Sequence, residues 1–137
     1  MDDKQKDFQK KVMEMKMIEN ALHGIQVREE ELVRTVEDLQ RSKEALEELD
    51  KYDGAKTMIP LGSGNFVMGK IEEADSVLVG VGAGVAVKKS RKEAKRHLES
   101  RILEIESSLK EIADQTNHMV TRAIQLREDV ESHHHHE

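Results

Sequence analysis

The sequence predicts an α+β fold, a long antiparallel two-helix coiled coil whose arms are joined by two small β-hairpins that serve for oligomerisation. Three observations carry this. Apolar residues recur every seven positions before residue 54 and again after residue 90. Between these stretches, residues 57–88 hold six of the eight glycines and the only proline. Charged residues make up 36% of the chain and aromatic residues 2%, too little bulky apolar material for a compact globular core. The expected organisation is an N-terminal coiled-coil helix over 1–54, a hairpin region over 55–89, a C-terminal coiled-coil helix over 90–132, and a disordered His-rich tail or tag remnant over 133–137.

In the first arm, Ile18, Ile25, Leu32, Leu39 and Leu46 fall on one line of a heptad. Met15, Leu22, Glu29, Val36 and Lys43 form the companion line, with Phe8 one heptad earlier. At 1.5 Å per residue such a helix is roughly 70 Å long. Glu29 and Lys43 interrupt the seam as register-setting or outward-reaching side chains. Gly24 is a weak point, and Gly54 is a natural C-terminal stop.

The central stretch divides into four β segments, Thr57–Leu61, Asn65–Ile71, Ser76–Val81 and Val85–Lys88. Gly62-Ser63-Gly64 and Gly82-Ala83-Gly84 supply backbone able to reverse tightly. Val77, Val79 and Val81 alternate as a half-buried strand does. Pro60 suits an edge or a strand end. Two hairpins of this size are marginal alone, so they are expected to pair with strands of other chains.

The second arm opens on the capping box Ser90-Arg-Lys-Glu93. Leu98, Ile105, Ile112, Met119 and Leu126 then form one line, and Ile102, Leu109, Thr116, Ala123 and Val130 the other. Two heptad helices of similar length joined by a compact reversal fold back on one another. The heptads leave at least two pairings that keep both seams facing. Gly24, Thr116 and Ala123 predict a seam that weakens toward the free ends, where fraying would expose Phe8, Met15, Ile18, Met119 and Leu126.

Two nucleotide-binding lookalikes are discounted. Residues 64–70 have the GxxxxGK spacing, but Ile71 stands where a metal-binding Ser or Thr is needed and no helix follows. Gly80-Val-Gly82-Ala-Gly84 lacks the third glycine of a dinucleotide fingerprint and its βαβ surroundings. The net charge of −6 argues against nucleic acid and anionic membranes as partners. The basic run Lys88, Lys89, Arg91, Lys92, Lys95 and Arg96 reads as a solvated helix face. There is no cysteine, which permits a reducing cytoplasm. The N-terminus lacks a secretory h-region, and no stretch reaches membrane-spanning length. Neither His23, His97 and His118 nor the run of four histidines suggests a catalytic or metal centre. No enzyme, metal or cofactor is expected.

Off the seam, Val12, Met13, Met17 and Val27 on the first arm and Val120 and Ile124 on the second add apolar surface toward the free ends. Val33, Leu49 and Leu103 do so near the hairpins. Methionine is flexible and polarizable, suited to surfaces that accept many partners.

The order helix, two hairpins, helix, with KTMIPLGSGNFVMGKI and SVLVGVGAGVAVKKSRKEAKRHLESRI, resembles the α-class subunit of prefoldin, archaeal in its glycine-rich turns. The likeness covers the chain in architecture and is specific over residues 57–102, above all Pro60-Leu61-Gly62-Ser63-Gly64, Gly69-Lys70 and Val81-Gly82-Ala83-Gly84. The resemblance implies a cytoplasmic cochaperone of two α and four β subunits whose hairpins form a double β-barrel platform. It also implies that the coiled-coil tips hold unfolded polypeptides without ATP and pass them to a group II chaperonin. Carried onto this chain, assembly falls to the hairpins, with Ile59, Leu61, Phe66, Val67, Val77, Val79, Val81, Val85 and Val87 as candidates. Client contacts fall to the tips, where helix geometry selects Phe8, Val12, Met13, Met17, Val120 and Ile124. The alternatives are a coiled-coil scaffold with fixed partners and, more remotely, a nucleotide-dependent enzyme using the GxxxxGK stretch.

Overall fold

The chain is described by a computed structural model over residues 2–135, with side chains through His133. In order, α1 (Asp3–Glu48), a 3₁₀ turn (Leu49–Tyr52), β1 (Lys56–Gly62), β2 (Asn65–Lys70), β3 (Ser76–Gly82), β4 (Val85–Ser90) and α2 (Arg91–His135) follow one another. Asp2 caps α1, its carboxylate accepting the Gln5 N–H at 2.8 Å. Ser90 caps α2 through the Glu93 N–H at 3.1 Å, as the capping box predicts. At the other end α1 tightens into the 3₁₀ turn, and Gly54, at φ +74°, turns the chain toward β1. α2 continues as helix through His135, three residues into the stretch expected to be a disordered tail, because adding a turn to a formed helix needs no new nucleus. His136 and Glu137, also assigned to that tail, lie outside the described residues.

Contacts divide the chain into two units. The first, a helix-pair unit, takes the chain up to Thr35 and from Ile105 onward. Phe8 meets His133, Lys11 meets Asp129 and Glu14 meets Arg122, so the helices run antiparallel. These polar pairs select one register among those the heptads allow. Leu32 and Leu126 are its buried apolar residues, and Leu126, 0% exposed, is the largest fully buried side chain described. The expected weakening toward the free ends is therefore not seen at Leu126.

The second, the hairpin unit, is Val36–Glu104. Its helix segments are again antiparallel, with Lys43 to Glu99 at 3.6 Å and Glu47 to Lys95 at 3.2 Å. Leu39, Ala74, Ala94 and Ile102 are buried here. Within their own units, the α1 seam residues from Met15 to Leu46 are buried or half-buried except Glu29, and those of α2 from Leu98 to Val130 all are. Lys43 stays half-buried by laying its stem along the seam and sending its amine to Glu99.

The strands form two separate two-stranded antiparallel sheets, β1–β2 and β3–β4. Lys56 pairs with Lys70 and Pro60 with Phe66; twenty positions on, Ser76 pairs with Ser90 and Gly80 with Ala86. Each hairpin shifts register just before its turn, between Pro60 and Gly62 and between Gly80 and Gly82. The turns agree as well: Gly62, Ser63 and Gly64 have φ of 101°, 51° and 80°, and Gly82, Ala83 and Gly84 have 102°, 53° and 75°. Two residues of each triplet thus need glycine, and the middle one is a small side chain in the left-handed region. Ile71 donates its N–H to the Ala55 carbonyl at 3.0 Å. With bonded rungs on alternate residues, Pro60 falls on an unbonded one, so its missing donor costs the ladder nothing. At Gly69 a Cβ would collide with the side chain of Ile59, which lies over it.

One side chain ties this unit together. The guanidinium of Arg91 donates to the Leu46 carbonyl at 3.2 Å and to the Asp50 carboxylate, and lies 3.8 Å from the carboxylate of Asp75. Its backbone N–H donates to the Asp75 carbonyl at 2.8 Å. Leu46 is in the last turn of α1, where carbonyls lack helical partners and no basic residue of α1 stands. Arg91 supplies the missing donor and the positive charge that a helix C-terminus favours. Nearby, the Asp53 carboxylate accepts the N–H of buried Ala74 at 3.2 Å, fixing the link between hairpins.

Arg91→Ala is expected to cost about 2 kcal/mol in urea unfolding, because it strips donors from a half-buried carbonyl and a carboxylate. Arg91→Lys is expected to recover less than half of that, lacking the planar fork; full recovery would show that charge alone matters. In the helix-pair unit, Thr116 Oγ1 is buried on the seam without a hydrogen-bonding partner. Thr116→Val keeps the shape and removes the orphaned hydroxyl, so it is expected to raise the melting temperature by a few degrees.

Candidate functional surfaces

The residues that imitate a phosphate loop form a hairpin instead. Gly64 lies in the β1–β2 turn, 65–70 are β2, and Lys70 faces Lys56 across the ladder with no helix after it. Gly80, Gly82 and Gly84 fall likewise at the end of β3 and in its turn. Among the described residues no group of His, Asp or Glu could hold a metal ion. None of the described helices is long and apolar enough to cross a membrane. Half of the basic run is paired locally: Lys88 with Glu73 at 3.1 Å, Lys95 with Glu47, and Arg91 with Asp50 and Asp75. The Ser76 hydroxyl and Lys88 hold the Glu73 carboxyl below its usual range.

What the molecule offers is apolar surface. In the hairpins, cross-strand partners share a face, so Met58, Pro60, Phe66 and Met68 lie on one side of the first sheet and Ile59 and Val67 on the other. Every one of these is exposed. Of the expected assembly residues, Ile59, Leu61, Phe66, Val67, Val81, Val85 and Val87 are exposed, whereas Val77 and Val79 are half-buried. The last two border an open groove of about 390 Å³ with Ala45, Leu46, Ala94 and Leu98. Met58, Met68 and Leu78 extend this apolar surface beyond the expected residues, and Leu78 is 74% exposed. The signal was available: alternation selects one face, and here the opposite phase is apolar too.

The expected tip residues belong to the helix-pair unit and divide in two. Met13, Met17, Val120 and Ile124 are exposed, 64%, 69%, 42% and 51%. Met13 and Met17 lie one turn apart on α1, and Val120 and Ile124 one turn apart on α2. Phe8 and Val12 are half-buried, and Phe8 stacks on the His133 ring with centroids 4.5 Å apart. The seam residues Met15, Ile18 and Met119 are half-buried and Leu126 fully so. The ends are paired here rather than frayed.

The pairing is electrostatic. Arg122 grips Glu14 with two bonds, Nε at 2.9 Å and a terminal nitrogen at 3.1 Å. Lys11 lies 3.2 Å from Asp7 and 3.4 Å from Asp129. The bond from Arg122 holds the Glu14 carboxyl below the usual carboxylate range, and bonds to Asp7 and Asp129 push the Lys11 amine upward. A depressed carboxylate contributes at neutral pH and loses that contribution as pH falls through its lowered value; the raised amine loses its own only in strong alkali. Both ties are therefore intact near neutrality.

Comparison with known proteins agrees with this architecture. The family model described as prefoldin subunit matches residues 18–133. A prefoldin subunit alpha of Nitrosopumilus maritimus is 29% identical over 109 residues, covering 80% of this chain and 75% of that protein. One from Methanococcoides burtonii is 35% identical over 99 residues, 72% of this chain and 69% of that one. Among solved structures, filamentous PFD from Methanocaldococcus jannaschii superposes with a TM-score of 0.73, at 21% identity, over 83% of this chain and 95% of its own; this likeness is one of fold. A family match across both helices and both hairpins, with relatives that share the archaeal α-type sequence, places this chain in the prefoldin family.

Proposed function

We propose that this chain is the α-type subunit of an ATP-independent holdase that works in the cytoplasm. Its hairpins join those of β-class subunits, two α with four β, in a β-barrel platform. Its helix ends hold unfolded polypeptides and pass them to a group II chaperonin. The observation that carries the reading is the exposure of Met13, Met17, Val120 and Ile124 on a helix pair whose seam is built from other residues. Large apolar side chains in water are unfavourable unless something covers them part of the time. These four lie outside the hairpin unit, so hairpin assembly leaves them for another use. Methionine adapts to partners of many shapes, and several weak contacts on tethered arms combine by avidity. Release then needs only a competing surface. The names of the relatives, prefoldin subunit alpha, support the same reading.

Two experiments test it. Diluting a chemically denatured client into the assembly with a β-class subunit, without ATP, is expected to suppress light scattering. Met13→Glu, Met17→Glu, Val120→Lys and Ile124→Lys together are expected to raise the half-suppressing concentration about tenfold or more. Unchanged suppression by the intact variant assembly would remove these four residues from the client surface, and no suppression by a parent assembly that native mass finds intact would move the reading to a scaffold. For the hairpins, Phe66→Asp or Leu78→Asp is expected to abolish the complex with the β-class subunit while leaving helical circular dichroism unchanged; a complex that still forms would remove these faces from the interface.

A further inference from the structure

We propose that Met58 and Met68, paired across the first hairpin, are a reversible oxidation site. Each sulfur takes one oxygen from a hydroperoxide, and the oxidised face no longer joins a β-class hairpin. The effect on assembly rests on the hairpin reading given above; the site itself does not.

The chain has no cysteine, so all of its sulfur lies in its seven methionines. Met15 and Met119 are half-buried on the helix seam, whereas Met58 and Met68 are each 62% exposed. These two are direct partners in the β1–β2 register. With Ala55 and Ile71 on a bonded rung, alternation puts Met58 and Met68 on an unbonded one, where facing Cα atoms come within about 4.5 Å. Two thioethers therefore stand side by side, on the face that also carries Pro60 and exposed Phe66. Strands favour branched and aromatic residues, and the next pair toward the turn, Ile59 and Val67, follows that preference. A methionine pair supports the ladder less than a branched pair does; what it brings is polarizable, oxidisable sulfur. At the equivalent places of the second hairpin, twenty positions on, stand Leu78 and Lys88, neither of which carries sulfur. Sensitivity is thus confined to one hairpin of the two. Met13 and Met17 are as open, at 64% and 69%, but they lie on α1 in the other unit and serve as internal controls for assembly.

The step is a two-electron oxygen transfer. A sulfur lone pair attacks one oxygen of the hydroperoxide, the O–O bond breaks as the S–O bond forms, and the proton of the transferred oxygen passes to the departing one. Sulfur is oxidised, and hydrogen peroxide is reduced to water. Reduction by a dithiol, through the two sulfoxide reductases that serve the two epimers, returns the thioether and leaves a disulfide and water. Each sulfoxide turns an apolar contact into a hydrogen-bond acceptor, which is unfavourable to bury against an apolar face that offers no donor.

Oxidising the free chain with hydrogen peroxide, before a β-class subunit is added, tests this. Peptide mass spectrometry is expected to find Met58 and Met68 oxidised well before Met15 and Met119. Titration of the oxidised chain with the β-class subunit, followed by native mass, is expected to show assembly weakened about tenfold or more, with helical circular dichroism unchanged. Met58→Leu with Met68→Leu is expected to assemble within about twofold of the parent, and to do so equally after peroxide, although Met13 and Met17 are then oxidised. Met58→Gln with Met68→Gln, polar without any oxidant, is expected to assemble as weakly as the oxidised parent. The two reductases with dithiothreitol are expected to restore the oxidised parent. Full assembly by the oxidised parent, the same loss in the peroxide-treated leucine variant, or a loss that the reductases do not reverse overturns the proposal. So does oxidation of Met58 and Met68 no faster than that of Met15 and Met119. An untreated parent that forms no complex overturns the hairpin reading and the consequence for assembly with it, while the mass spectrum still judges the oxidation site.

Discussion

Arg91 is the contact on which the hairpin unit depends. Three segments converge there: the end of α1 with its 3₁₀ turn, through the Leu46 carbonyl and Asp50 respectively, the approach to β3 through Asp75, and the start of α2, to which Arg91 belongs. A cation in the first turn of a helix opposes that helix's dipole. Asp50 and Asp75 offset this, and the same charge serves the C-terminus of α1, whose own last turn has no basic residue. A single fork thus joins the end of one helix to the beginning of the other across 45 residues. The hairpins are fastened at their open ends by equivalent bonds, Ile71 N–H to the Ala55 carbonyl and Arg91 N–H to the Asp75 carbonyl, while their turn residues stay exposed.

This arrangement holds the hairpins in place without burying them. A two-stranded sheet contributes little stability by itself, and here the apolar residues on both faces of the first sheet stay exposed. The helices are organised differently. Their apolar residues are gathered into a seam, and polar pairs choose which residue faces which. Two kinds of surface follow: sheet faces whose apolar residues stand in the open, and helix flanks on which exposed methionine and branched residues stand beside the seam.

Much of this was legible in the chain. The heptads marked the seam residues, Ser90 and Glu93 the start of α2, and the two glycine triplets the hairpin turns, because periodicity and backbone freedom are local properties. The register was not legible, since apolar side chains of similar size are nearly indifferent to a slip of one heptad. Glu14, Arg122, Lys11 and Asp129 resolve it, but as charged residues on a highly charged chain they carry no visible mark. Arg91 was hidden for the same reason: within Lys88–Arg96 it looks like one more surface cation, and only folding brings Leu46, Asp50 and Asp75 to it. The burial of Leu126 was not legible, because Thr116 and Ala123 on the companion line point to a loosening seam, whereas Leu126 has no exposed surface. Met58, Met68 and Leu78 carry no mark in simple alternation, which gives a strand one buried and one wet face, whereas here both phases are apolar.

The two hairpins repeat each other at an offset of twenty positions, in register, bulge and turn, with Gly80 standing where the first has Pro60. In the language of polymer chemistry, a subunit with two like coupling elements is a difunctional monomer, whereas one with a single element is an end-capper. Difunctional units either close into rings or extend without limit, and the geometry between their couplings, together with the supply of end-cappers, selects the outcome. The duplicated hairpin therefore makes the size of any assembly built from this chain a matter of stoichiometry as much as of affinity.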